Sequence, residues 1–477
     1  MIKKGVRFLK VVIAGYNIEA EEVERLLAQG APLTPEVIAA SYARISRDPR
    51  SVAAIRRDAR EDVERARRSN ERIVFGMGHA SIAEHAVFNI DVSGISRLAV
   101  EELEHFRLAS FTEKSQRYIK LGRDIVVPKE VRAKGSRMER RFRETAGRLQ
   151  KAYSELYRVL LDRGYDEGIA REDARYAMPL ATAAQLGMTV NARELEYMIA
   201  RLSAHPLSEL QKLSGMLYKK AKVIAPSLIR YPDATDYFKN IARAKVDIGA
   251  EMRQLMKGAG SNSYVKVEGN VRLLDWTRRG DERIVAAILF SSSNVTMGDA
   301  LEAAGKMNRA EKVRVIEKAM KGIESHDSVL REFESVHMLF EFIVSASCFA
   351  QLKRHRLATI IPQNYDLSLG ISVPHSIDGA GAVRILRDAA RDASDLYREL
   401  VRCCPGAADY ILTNAHRRRV LFDVNMREIY HFVRLRSDRH AQWEIREVSG
   451  AVALEAKRHF RSASIYLSGK DEFDRKR

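Results

Sequence analysis

The sequence predicts an α+β protein built as two tandem copies of one unit. Three observations carry this. Four features recur in the same order in the two halves, both halves mix strands with long amphipathic helices, and a stretch ending in Gly, Ser and Asn separates them. At 477 residues the chain is also too long for one ordinary domain. The expected division is 1–235 for the first copy, 236–262 for a linker and helix, and 263–477 for the second copy.

The N-terminal MIKKGVRFLKVVIAGYNIEA is basic, then apolar. Lys10 interrupts the apolar run and no small-residue cleavage site follows, so it reads as a first strand rather than a signal peptide. The first recurring feature is a histidine-led polar turn entering a strand: GHASIAEHAVFNIDVSG at 78–94 and SHDSVLREFESVHMLFEFIVSA at 325–346. Phe88, Ile90 and Val92 alternate with Asn89, Asp91 and Ser93, the period of a half-buried strand. The second feature is a helical run closing in a polar segment, RLAVEELEHFRLAS and CFAQLKRHRLAT. The third is a long amphipathic helix, stopped by Gly164 in the first copy and followed by Pro405 in the second. The fourth is VNARELEYMIARLSAHPLSEL and VNMREIYHFVRLRSDRHAQWEI, where Asn191/Glu194 and Asn425/Glu428 form capping boxes opening a helix.

Composition narrows the function classes. Net charge is +18, which favours anionic partners such as nucleotides, polyphosphate cofactors or nucleic acid. Arg417–Arg419 and the tail GKDEFDRKR read as solvated charge. No apolar run reaches the roughly 18 residues of a membrane span. The three cysteines, Cys348, Cys403 and Cys404, show no disulfide framework and no zinc spacing, which points to a reducing, cytoplasmic setting. His79 and His85, flanking Ser81 and Glu84, have a spacing that could hold a metal, but both histidines read as structural hydrogen-bonders and no metal is expected. There is no phosphate-cradling glycine loop and no Ser/His/Asp triad.

Two polar segments carry the chemistry. In HFRLASFTEKSQRY at 105–118, Ser110, Thr112 and Ser115 offer hydroxyls, and Arg107 and Arg117 offer forked donors suited to phosphate or a planar carbonyl. That cluster fits a nucleotide, and equally a polar loop capping neighbouring helices. In RHRLATIIPQNYDLSLG at 354–370, the RHR cluster follows a helix and fits a pyrophosphate or nucleobase, or an ordinary basic helix end. His440, Gln442, Trp443 and Glu444 are placed on the last helix of the second copy, with Trp443 in the core and His440 available to a ligand.

These segments resemble the signature of the flavin-dependent thymidylate synthases, R-H-R-x-x-S-x-N-x-x-S-x-R-Y. HASIAEH looks like that family's H-x-[ST]-x-x-E-H, and SDRHAQWEIRE like its C-terminal helix. The motifs fall twice, in the family's order, over most of the chain, and neither copy is complete. The first copy has His105 and Phe106 at the two leading positions and Thr112 for an asparagine. It keeps Arg107, Ser110, Glu113, Ser115, Arg117 and Tyr118. Arg175 matches an arginine that contacts the nucleotide, and Leu202 stands where a late activating arginine belongs. The second copy keeps Gln351, Arg354, His355, Arg356 and the late arginine, Arg436. It has Pro362, Asn364 and Asp366 for the following Glu, Ser and Arg, and Asp409 in the place of Arg175.

The retained residues divide along the line by which family subunits share a site. The expectation is therefore one composite site per pair of copies, with the reciprocal site lost. The resemblance implies a fold of antiparallel sheet with long helices. It implies reductive methylation of dUMP with methylenetetrahydrofolate, FAD and NADPH. Arg436 would polarise the uracil, Gln351 and Arg354 hold base and sugar, Ser115, Arg117 and Arg175 hold the phosphate end, and Glu113 joins the substrate-binding residues. FAD would fall to His79, Ser81, Glu113, Arg354, His355, Arg356, Asn425, Arg427 and His431, the last replacing a family asparagine. Asn425 is read equally as a helix cap. A homodimer rebuilding a pseudo-tetramer is expected. Two alternatives stand: flavin–folate chemistry on another pyrimidine, free or in RNA, and a catalytically silent nucleotide- or nucleic-acid-binding homologue.

Overall fold

The computed structural model describes residues 9–18, 34–45, 52–119, 122, 124–258 and 269–473. The first eight residues, the Gly/Ser/Asn end of the expected linker and the last four residues of the basic tail lie outside them. The chain divides into two compact units. One holds Met1–Gln150, Pro179–Ser263 and Asp392–Leu412; the other holds Lys151–Met178, Tyr264–Arg391 and Thr413–Arg477.

The first unit is built on an antiparallel sheet of β1 (Lys10–Tyr16), β2 (Val87–Ser96), β3 (Ala109–Glu113) and β4 (Ala183–Asn191), in the order β1-β2-β4-β3. The alternation of Phe88, Ile90 and Val92 puts all three in the core, as period-two pairing requires. The β2–β4 register slips between Ser93 and Ile95, and Gly94 supplies the positive φ of 72° there. Helix α1 (Arg97–Leu103) follows β2, capped by Ser96 Oγ. The long helix α2 (Ser136–Asp162), whose Lys151–Asp162 end belongs to the second unit, ends before Gly164, whose φ is 85°. Helices α3 (Ala192–Ser203) and α4 (Ser208–Ile224) bury Leu195, Met198, Leu213 and Leu217 against the sheet. Helix α5 (Asp236–Gly258) occupies most of the expected linker and helix region.

The second unit repeats the plan with β5 (Val271–Trp276), β6 (His337–Ser345), α6 (Ala346–Leu352), β7 (Thr359–Pro362), α7 (Val383–Cys403), β8 (Arg417–Asn425), α8 (Met426–Arg436) and α9 (Trp443–His459). Only the Asp392–Cys403 end of α7 belongs to the first unit. The strand order is β5-β6-β8-β7, again antiparallel. Phe342, Phe422 and Phe432 form a tilted aromatic stack, with centroids 5.2 and 5.4 Å apart, at the centre of its core.

Three sequence readings need correction. The arginines of 417–419 are not solvated charge. Arg418 is 6% exposed, sits over the rings of Phe349 and Tyr365 at 4.8 and 4.5 Å, and donates to the Gln363 carbonyl at 2.7 Å. Strand alternation carries it inward while Arg417 and Arg419 reach Ser372 and Glu341. The segment 109–113 is an edge strand rather than a loop, because pairing to β4 satisfies its backbone. The last helix begins at Trp443, so His440 precedes it, and Gln442 is its N-cap through a bond from the Ile445 amide. Among the described residues no helix is long and apolar enough to cross a membrane.

Candidate functional site

The second unit gathers the second-copy site residues at the exits of two strands. Strand β6 ends at Ser345, whose Oγ accepts from the Cys348 amide and opens α6. That helix presents Gln351, and the chain then turns through Arg354, His355 and Arg356 into β7. Strand β8 ends at Asn425, whose Oδ1 accepts from the Glu428 amide at 2.9 Å and opens α8. Only this half of the expected capping box forms, and the same holds at Asn191 and Glu194. The glutamate carboxylates turn elsewhere.

Glu428, Phe432 and Arg436 are spaced four residues apart on α8 and so share one face. The His355 ring packs edge-on against Phe432, centroid to centroid 4.8 Å. His355 Nδ1 lies 2.9 Å from Glu428 Oε1, and Arg436 Nε donates to His355 Nε2 at 3.0 Å. Arg436 Nη2 also donates to the Gln351 carbonyl at 3.2 Å. His355 and Glu428 are buried, at 2% and 3% exposure. Burial first, then the Arg436 charge, hold the His355 pKa well below its ordinary value. Burial raises that of Glu428, against the pull of His431 and Arg427.

Gln351 is buried, yet neither end of its side-chain amide has a hydrogen-bond partner among the described residues. A buried amide left unmet costs free energy, so such a group marks a candidate ligand contact. Arg175, from the first sequence copy, belongs to this same unit and is buried there. Its Nε donates to the Glu172 carbonyl, and its own carbonyl accepts from Asn414 Nδ2 at 3.0 Å. Burial, then the Glu444 charge, push the Cys348 thiol well up, and both Arg436 and Arg175 are near enough to pull it back.

Beside this cluster lies a cleft of about 480 Å³ lined by Arg354, Arg356, Arg427, His431 and Arg434, together with Ser325–Val329. Arg427 is braced by bonds to the Val329 carbonyl and Glu334. His326 and Ser328, which occupy the places of His79 and Ser81 in the repeat, line this cleft. Sequence reasoning passed over them although the repeat was visible. It also passed over the Glu428 carboxylate, whose contact with His355 spans 73 positions.

The first unit holds the remaining candidates. Glu113 closes β3, with Arg97 at 3.9 Å. Ser115 Oγ accepts from the Arg117 amide at 3.1 Å, and the Arg117 guanidinium lies 5.6 Å from the Tyr118 ring centroid. His79 and Ser81 are exposed at the 3-10 turn Ala80–His85. A cavity of about 570 Å³ is lined by His105, Phe106, Glu194, Tyr197 and Leu202. Phe106 and Tyr197 meet edge-to-face at 5.9 Å, so rings fill the places that His355 and His431 hold in the second unit.

Comparison with known proteins bears on this geometry. The family described as thymidylate synthase complementing protein matches residues 27–227 and again 272–460. A UPF0159 protein of Thermoplasma acidophilum is 23% identical over 461 residues, covering 86% of this chain and 89% of its own. A flavin-dependent thymidylate synthase of Clostridium tetani is 28% identical over 235 residues, which is 46% of this chain and 92% of that protein. Among solved structures, thymidylate synthase X of Helicobacter pylori with FAD and dUMP aligns at 20% identity and a TM-score of 0.30, covering 47% of this chain and 100% of its own. A UMP/dUMP methylase of Streptomyces cacaoi aligns at 21% identity and a TM-score of 0.35, covering 46% and 93%.

Proposed function

The chain belongs to the thymidylate synthase complementing protein family, and from that membership we propose that it methylates dUMP at C5 reductively, taking carbon from methylenetetrahydrofolate and hydride from NADPH. The observation that carries this reading is the buried, unpartnered Gln351 amide beside the anchored Arg436 guanidinium. An amide offers a donor and an acceptor side by side, the complement of a pyrimidine edge. Arg436 favours negative charge developing on the N3–C4 region of the uracil. Arg175 and Arg354 add cations for sugar and phosphate.

The basic cleft fits a dinucleotide such as FAD. Arg354, Arg356 and Arg427 suit its pyrophosphate, and His431, Ser328 and His326 offer further polar contacts. Bound there, FAD would carry hydride between NADPH and the transferred carbon. Asn425 acts through the backbone instead, since its Oδ1 caps α8. Titration calorimetry with dUMP tests the reading. Gln351→Ala is expected to weaken dUMP binding about 10- to 100-fold, by removal of buried donor and acceptor. Unchanged affinity would contradict it.

A further inference from the structure

The tautomer of His355 follows from its neighbours. A guanidinium has donors only, so Arg436 Nε–H requires a bare lone pair on His355 Nε2, 3.0 Å away. The neutral ring then carries its one proton on Nδ1, where it donates to Glu428 Oε1 at 2.9 Å. The three groups form a line along one face of α8, with the imidazole over Phe432, the carboxylate one turn before it and the guanidinium one turn after. We propose that Glu428 is a positioning residue which, through His355 held in its Nδ1–H form, aims Arg436 at the nucleotide base. This rests on the reading of the site as a dUMP site.

Two observations bear on the relay, the first by excluding a competing use. The donor atoms of His355, Glu428 and His431 lie within 4.8 Å of one another, close enough to share a cation. The arginine bond decides against that use, because Nδ1 holds the proton and has no lone pair for a metal. The first unit offers the second observation. Glu194 keeps the place of Glu428, but Phe106 and Leu202 stand for His355 and Arg436. The imidazole and the guanidinium are absent together, and Glu194 turns to the Leu108 amide at 3.5 Å.

Nitrogen-15 NMR of histidine-labelled full-length protein reads the tautomer with no ligand present, the His355 signal being identified by its loss in His355→Gln. The Nδ1–H form is expected. For turnover, Glu428→Ala is expected to lower kcat about 10- to 100-fold with KM for dUMP within about threefold, the mark of a misaimed group. Glu428→Gln, whose amide oxygen still accepts from Nδ1–H, is expected within about fivefold of wild type. An Nε2–H ring, stoichiometric zinc uptake that displaces the Nδ1 proton, or wild-type kcat in Glu428→Ala overturns the relay. Wild-type protein that leaves dUMP unbound sinks the functional reading instead, and the tautomer measurement still decides the relay.

Discussion

Tyr176 donates its hydroxyl to Glu444 at 2.8 Å inside the second unit, although 268 positions separate them. The first unit holds the mirror of this pair, Tyr410 on Glu209 at 2.8 Å. In each unit the glutamate also accepts from the backbone amide and hydroxyl of the serine that ends a central strand, Ser345 in one and Ser96 in the other. Each unit thus takes from the other sequence copy a tyrosine that bonds this glutamate. The same segment that brings Tyr176 into the second unit brings Arg175.

Both tyrosines should therefore support folding. Tyr176→Phe removes a bond to a buried carboxylate and strands the Gln442 amide that donates to the same hydroxyl. A loss of about 2 kcal/mol is expected, with a similar loss for Tyr410→Phe. Urea unfolding checks both, and a loss at one position alone would contradict the paired arrangement.

Arg436 and Leu202 occupy matching places on α8 and α3. Arg436→Lys should weaken dUMP binding at least about tenfold, since an ammonium cannot keep the bonds to His355 and Gln351 in one plane. Leu202→Met, a volume-conserving change in the first unit, should leave it unaltered. Calorimetry on both variants measures the contrast, and equal losses would contradict a single site per chain.

Two buried groups pull stability in opposite directions with pH. Burial pushes the Asp173 carboxyl up to about 7, a bond from Ser376 Oγ offsetting only part, and its Oδ1 has no hydrogen-bond partner among the described residues. Its unfolded pKa is about 4, so its contribution is complete below about 4 and is lost as pH rises towards 7. Burial brings His416 down to about 4, and its Nδ1 accepts from the Thr413 amide. From an unfolded value of about 6.5, that contribution is complete above about 6.5 and is lost as pH falls towards 4. Asp173→Asn removes the first effect alone. Its urea midpoint should fall more steeply than that of wild type between pH 7 and 4, and parallel profiles would contradict the assignment.

Assembly is a separate expectation. We propose a homodimer that restores the four copies of a pseudo-tetramer, so light scattering should give twice the 54.0 kDa chain mass. A monomer at micromolar concentration would contradict it.

Much of the fold was legible because local rules and tertiary packing agree here. Period-two alternation placed Phe88, Ile90 and Val92 in a strand, and Gly164 stopped a helix where its positive φ allows. The site was legible only through the repeated motif. Glu428 looked like half of a capping box because the Asn425 spacing is local, while its carboxylate serves His355, brought near by the sheet. Arg418 looked like surface charge because only the pairing of β8 shows which way an alternating arginine points. Tyr176 and Glu444 carry no signal of their pairing, since nothing local links residues so far apart.

The most direct measurement is the visible absorption spectrum of the purified chain with added FAD, before and after dUMP, with bound flavin counted per chain. The account predicts one bound flavin per chain and a spectrum that shifts when dUMP is added. Retention of no flavin, or a bound flavin indifferent to dUMP, would contradict it.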